Sequence, residues 1–89
     1  MPPKEKLLDK LFQKRQPWNF SKQELDSLME QCNCIKGQGG RGSGIRYYHS
    51  RTGIVLTFDE PHPGNDLYLY QIKKVKQFLK ETGEVKEDR

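Results

Sequence analysis

Five glycines stand between positions 37 and 44, and no regular helix runs through so many. Pro17, Pro61 and Pro63 impose further breaks, because proline lacks an amide hydrogen and its ring clashes with a continuing helix. Regular structure must fit between these interruptions. Residues 4 to 15 carry Leu7, Leu8, Leu11 and Phe12 among Lys4, Lys6, Lys10, Lys14 and Arg15. Apolar residues at steps of three and four predict an amphipathic helix with a mostly basic polar face. The plain reading of that face is solvation, ahead of nucleic-acid contact. The helix ends before Pro17.

Ser21-Lys22-Gln23-Glu24 has the form of a capping box, with Phe20 and Leu25 placed as a hydrophobic staple across it. A helix is expected from Lys22 to about Gln31, with Leu25, Leu28, Met29 and Cys32 on one stripe. Residues 33 to 38 are expected to form a first strand, Ile35 inward and Lys36 outward. Ile45 to His49 and Gly53 to Phe58 read as a hairpin across Ser50-Arg51-Thr52-Gly53. Ile45, Tyr47, Ile54, Leu56 and Phe58 would face the core, and Arg46, Tyr48, Val55 and Thr57 the other side. Only the charge of Arg46 sets that choice, and a slip of one residue would invert it. A turn-rich loop from Asp59 to Asp66 leads to a helix over about 69 to 82, with Ile72, Val75, Phe78 and Leu79 inward. Gly83 is placed to cap it. The charged tail, 84 to 89, is expected to fray.

The chain of 89 residues is expected to be a single domain with a small core. Its net charge is +4, which favours an anionic partner: nucleic acid, an acidic protein surface or a lipid headgroup. No acidic residue occurs from Gln31 to Phe58, while Lys36, Arg41, Arg46 and Arg51 all fall there. The start of the chain has no apolar run able to act as a signal peptide or cross a bilayer, so a cytoplasmic protein without a membrane partner is expected. Cys32 and Cys34 lie too close in sequence for ordinary disulfide geometry. As zinc ligands they would need two more, and His49 and His62 stand at no familiar spacing. Free thiols, and no metal or other cofactor, are expected.

The order helix, helix, three strands, helix is α+β. Without the first helix it is α-β-β-β-α, the topology of double-stranded-RNA-binding domains, which read RNA shape, phosphates and 2′-hydroxyls. The runs GGRGSGIRYYH, IVLTFDEPHPGN and YQIKKVKQFLKETG go further. In their order and spacing they resemble the HicA toxins of bacterial toxin–antitoxin systems, over residues 20 to 83. The helix at 4 to 15 resembles an extension carried by some members. The resemblance implies a double-stranded-RNA-binding-like fold and an endoribonuclease that cuts messenger RNA without metal and so blocks translation. It also implies a HicB-like antitoxin as protein partner.

The family's motif is Gly-Ser-His, and its histidine is the proposed catalytic group. Here Gly42 and Ser43 are followed by Gly44, which has no proton to give or take. A second position that carries histidine in some similar sequences is Asp59. Metal-free RNA cleavage needs a base for the 2′-hydroxyl, an acid for the leaving oxygen and cations for the phosphorane charge. His62 and His49 are the histidines left. His49 reads first as a turn residue beside the hairpin, and for His62 a structural and a catalytic role stay equally open. Lys36, Arg41, Ser43, Arg46 and Tyr48 are the candidate RNA contacts. Two further readings stand beside the toxin: a non-catalytic RNA-binding module, and a protein-interaction domain with a basic face.

Overall fold

The computed structural model describes residues 3–14, 19–38, 44–59 and 66–87. Three helices, α1 (Lys4–Leu11), α2 (Lys22–Gln31) and α3 (Leu69–Thr82), accompany three strands, β1 (Cys34–Gln38), β2 (Gly44–His49) and β3 (Val55–Asp59). The fold is α+β, in the order α-β-β-β-α with α1 added in front. The strands form one antiparallel sheet in the order β1-β2-β3.

α2 starts where the sequence says it should. The Glu24 amide donates to Ser21 Oγ at 3.1 Å and the Ser21 amide donates to Glu24 Oε1 at 3.0 Å. Phe20 and Leu25, on either side of the cap, are both fully buried. Glu24 also receives Lys10 Nζ from α1 at 2.8 Å. Burial alone would raise the Glu24 carboxyl, but the bonds from Lys10 and Ser21 outweigh it and hold it below its ordinary value. α2 stops at Cys32, and Asn33 turns the chain at a φ of 63°, a left-handed conformation that asparagine tolerates.

α1 is shorter than its apolar pattern predicts. It ends at Leu11, and Phe12 is its cap. Leu7, Leu8 and Leu11 are buried. Phe12 is half-buried, with Lys76 Nζ of α3 at 5.6 Å from its ring centroid and Lys80 Nζ at 5.9 Å, within cation–π range. Those lysines crowd one another: burial, then Lys80 and Lys73, push the Lys76 ammonium below its usual range.

The helices cover one face of the sheet. Ile45, Tyr47 and Leu56 point into a core built with Leu25, Leu28 and Met29 of α2 and Ile72, Val75, Phe78 and Leu79 of α3. The two-residue alternation puts Arg46, Tyr48, Val55 and Thr57 on the uncovered face, and all four are exposed. The expected hairpin faces therefore stand for the described side chains, among which Phe58 is not included, but β1 is inverted. Ile35 pairs with Tyr48 and Lys36 with Tyr47, so Ile35 shares the uncovered face and is 62% exposed. Half-buried Cys34 takes the inward place beside the core. The Asn33 turn fixes this register, because both the amide and the hydroxyl of Ser50 donate to the Asn33 carbonyl, at 3.0 and 2.9 Å.

The tail corrects a second expectation. Gly83 adopts a φ of 81° and ends α3. The amides of Glu84 and Val85 then turn back to the Leu79 carbonyl, at 3.0 and 3.3 Å. Val85 is buried and the Glu84 side chain is 5% exposed. Neither belongs to a frayed segment. No helix among the described residues is long and apolar enough to cross a membrane.

Candidate nucleic-acid interface

Strand pairing fixes which candidate residues share a neighbourhood. Gly44 opens β2 and pairs with Asp59 at the close of β3, while Gln38, the end of β1, pairs with Ile45. These three strand ends lie together at one end of the sheet. The connections into α2 and α3 are joined as well: Ser21 and Asp66 form a β-bridge, and the Leu67 amide donates to the Phe20 carbonyl at 2.8 Å. Two helix N-termini, with their partial positive charge, therefore start side by side. Tyr68 and Tyr70 stack there at 6.1 Å between centroids, both exposed along with Leu69. Tyr68 serves α3 as well, its amide donating to Gln71 Oε1 at 2.9 Å. The candidates Arg41, Ser43 and His62 lie outside the described residues.

Arg46 and Tyr48 are neighbours on the uncovered sheet face. Lys36, grouped with them on sequence, is on the other face. It lines a cleft of about 270 Å³ between α2 and β1, with Asp26, Met29, Glu30, Cys34 and Tyr47. Its ammonium lies 3.1 Å from the Asp26 carboxylate, which also accepts the Tyr47 hydroxyl hydrogen. The Lys36–Asp26 pair is roughly half exposed and stabilises by about 0–1 kcal/mol at most. It removes Lys36 from the cationic surface that Arg46 belongs to. Gly44 is half-buried at the strand end.

His49 is not a turn residue. It points inward from β2, is wholly buried, and packs edge-on against Phe78 at 6.4 Å. Its Nε2 lies 2.7 Å from Glu84 Oε2 and its Nδ1 lies 2.8 Å from Thr52 Oγ1. Neither ring nitrogen is left without a partner. Nε2–H donates to an ionised Glu84, Nδ1 shares a hydrogen with the Thr52 hydroxyl, and Thr52 Oγ1 accepts the Ile54 amide at 3.3 Å. Lys4 Nζ from α1 and Asn33 Nδ2 also reach Glu84, at 3.2 and 3.4 Å. Burial alone would raise the Glu84 carboxyl, but the bonds from His49, Lys4 and Asn33 outweigh it and hold it below its usual range. The arrangement has the outline of a catalytic triad and none of the access. Both imidazole nitrogens are engaged and no substrate atom can reach them. Its work is to tie the hairpin, α1 and the segment after α3 to one carboxylate.

The sequence reading missed Glu84 and Asp26. One signal for Glu84 was present: an apolar residue, Val85, two places beyond a capping glycine marks a helix end that folds back on itself. Nothing local marked Asp26, whose partners lie 10 and 21 residues away. Burial disfavours the reactive thiolate form of both free cysteines. Burial pushes the Cys32 thiol up to about 11 and Cys34 up to about 12. No family model, curated protein or solved structure matches the chain.

Proposed function

We propose that this protein is a HicA-like, RNA-binding protein with a double-stranded-RNA-binding-like fold. As the resemblance implies, it acts as a metal-independent endoribonuclease on messenger RNA and is neutralised by a HicB-like antitoxin. The observation that carries the reading is the meeting of strand ends and helix starts at one end of the sheet. Gly44 and Asp59 pair there, and Ser43 is next to Gly44 in sequence.

One observation favours a second reading, a non-catalytic RNA-binding module. Gly44 has no titratable group, and His49, the one histidine among the described residues, is sealed in the core. General acid–base work at the site then depends on His62. Labelled RNA incubated with purified protein in excess chelator separates the readings. Cleavage lost in His62→Ala supports the toxin; binding without cleavage supports the module. Gly44→His restores the family motif, and general acid–base catalysis contributes on the order of 10²–10⁴-fold. A folded Gly44→His protein that binds RNA, never cuts it and never arrests growth refutes the toxin reading. Binding is expected to weaken with salt, with a log–log slope of about −0.7 for each single-strand phosphate neutralised. Arg46→Glu reduces it strongly. Lys36→Glu changes it little, since Lys36 faces Asp26 on the other side of the sheet. Equal losses in the two variants contradict this placement of the interface.

A further inference from the structure

The uncovered face of the sheet is a platform. Ile35, Tyr48 and Val55 lie in register across all three strands, and they are 62%, 43% and 46% exposed. The next row along is Gly37, Arg46 and Thr57, all exposed. A methyl group added at Gly37 would meet nothing within 4 Å, so open space adjoins Arg46 on that side. The Tyr48 ring does not stand up from the strand. Its hydroxyl reaches Gly53, where an added Cβ would lie 3.8 Å away. Gly53 is two positions before Val55, the partner of Tyr48 across the ladder. The ring therefore leans along the sheet toward the hairpin turn, with β-branched Ile35 and Val55 paired on either side of it.

Charge indicates what rests on this platform. Arg46 is two residues from Tyr48 on the same strand, about 7 Å away by strand rise. Lys74 Nζ reaches the outer edge of β3, donating to the Thr57 carbonyl. The one acidic residue in the three strands, Asp59, is at the far end, opposite Gly44. A flat aromatic and apolar row beside a cation suits an unpaired base whose phosphate follows it.

We propose that the sheet face binds single-stranded RNA, with a base stacked on Tyr48 between Ile35 and Val55 and its phosphate held by Arg46. The inference rests on the RNA-binding reading above and narrows the ligand to unpaired nucleotides. A duplex, whose base faces are covered by their neighbours, has nothing to offer Tyr48.

Fluorescence anisotropy tests it with a labelled, unstructured uridine-rich strand of about 12 nucleotides, within the range one such surface occupies. A blunt duplex of equal length and poly-glutamate serve as competitors. Tyr48→Ala is expected to weaken single-strand binding by about 5- to 150-fold, the measured worth of one base–aromatic stack. Tyr48→Phe keeps the π-face and restores it. Tyr48→Ala, being a surface change, leaves thermal unfolding and duplex affinity unaltered. Retained single-strand affinity in Tyr48→Ala overturns the platform and leaves RNA binding at the other end of the fold standing. No binding to either RNA refutes the RNA reading itself. Equal competition by poly-glutamate overturns stacking in favour of charge alone. A concentration-dependent dimer in light scattering that Tyr48→Ala disperses assigns the face to a second copy.

Discussion

Removing the Glu84 carboxylate is the sharpest test of how this small fold holds together. In Glu84→Ala the buried His49 Nε2–H loses its acceptor, while Thr52 still satisfies Nδ1. A buried hydrogen bond to a charged group is worth about 1.5–3 kcal/mol net. Lys4 is a third exposed and adds less than about 1 kcal/mol; Arg51, 3.9 Å away and largely exposed, adds nothing of note. A loss of about 2–3 kcal/mol is expected, on the order of a quarter to a half of what a domain of this size has to lose. In urea, with a slope of about 1 kcal/mol/M, the midpoint falls by about 2–3 M, and Tm by about 8–24 °C. Glu84→Gln keeps the shape and loses the charge, and should fall between the two proteins. The pH dependence has a definite sign. The folded carboxyl titrates below its ordinary value of 4.5. Its stabilisation is therefore complete above that unfolded value and disappears as pH falls through the lower folded one. The gap between wild type and Glu84→Gln should hold steady near neutrality and close in acid. Circular dichroism across a urea and pH grid measures both quantities. A Glu84→Ala protein within about 0.5 kcal/mol of wild type, the ordinary range for a surface change, refutes the tie.

Two further outcomes follow from the same packing. Ser21→Ala removes the acceptor at the start of α2 and should cost about 0.5–2 kcal/mol in thermal or urea unfolding, and a change indistinguishable from zero contradicts the cap. Iodoacetamide at pH 8 should label the folded protein slowly, because Cys32 and Cys34 titrate at about 11 and about 12, and should label both thiols readily in urea; equal rates refute the burial assigned to them.

What the sequence disclosed was local. The Ser21 box, the αL glycine at 83 and the inward stripes of α2 and α3 depend on residues within a turn of one another, and all are present. The hairpin faces were legible because charged Arg46 alternates with Ile45 and Tyr47. β1 was not, since Cys34-Ile35-Lys36-Gly37-Gln38 holds one strong apolar residue, and the obvious guess buries it. Its register comes from Asn33 and Ser50, seventeen residues apart, and no periodicity records that. Lys36 was misplaced with it. Of the candidate site, the closeness of Gly44 to Asp59 followed from the hairpin. The sequestering of His49 did not, because its partner Glu84 lies 35 residues away in a segment whose composition reads as solvated.

The Lys4–Glu84 contact joins positions 80 residues apart. A ribosome adding about 5–20 residues each second sets an interval of about 4–16 s between the two. α1 can settle on α2 early in that interval, since Lys10 and Glu24 are only 14 apart. His49 emerges midway with Thr52 close behind, but its Nε2 lacks its native acceptor until Glu84 arrives. Through that period the hairpin has an unpaired polar group where its core will form, and the nascent fold closes only when a carboxylate near the far end of the chain reaches it.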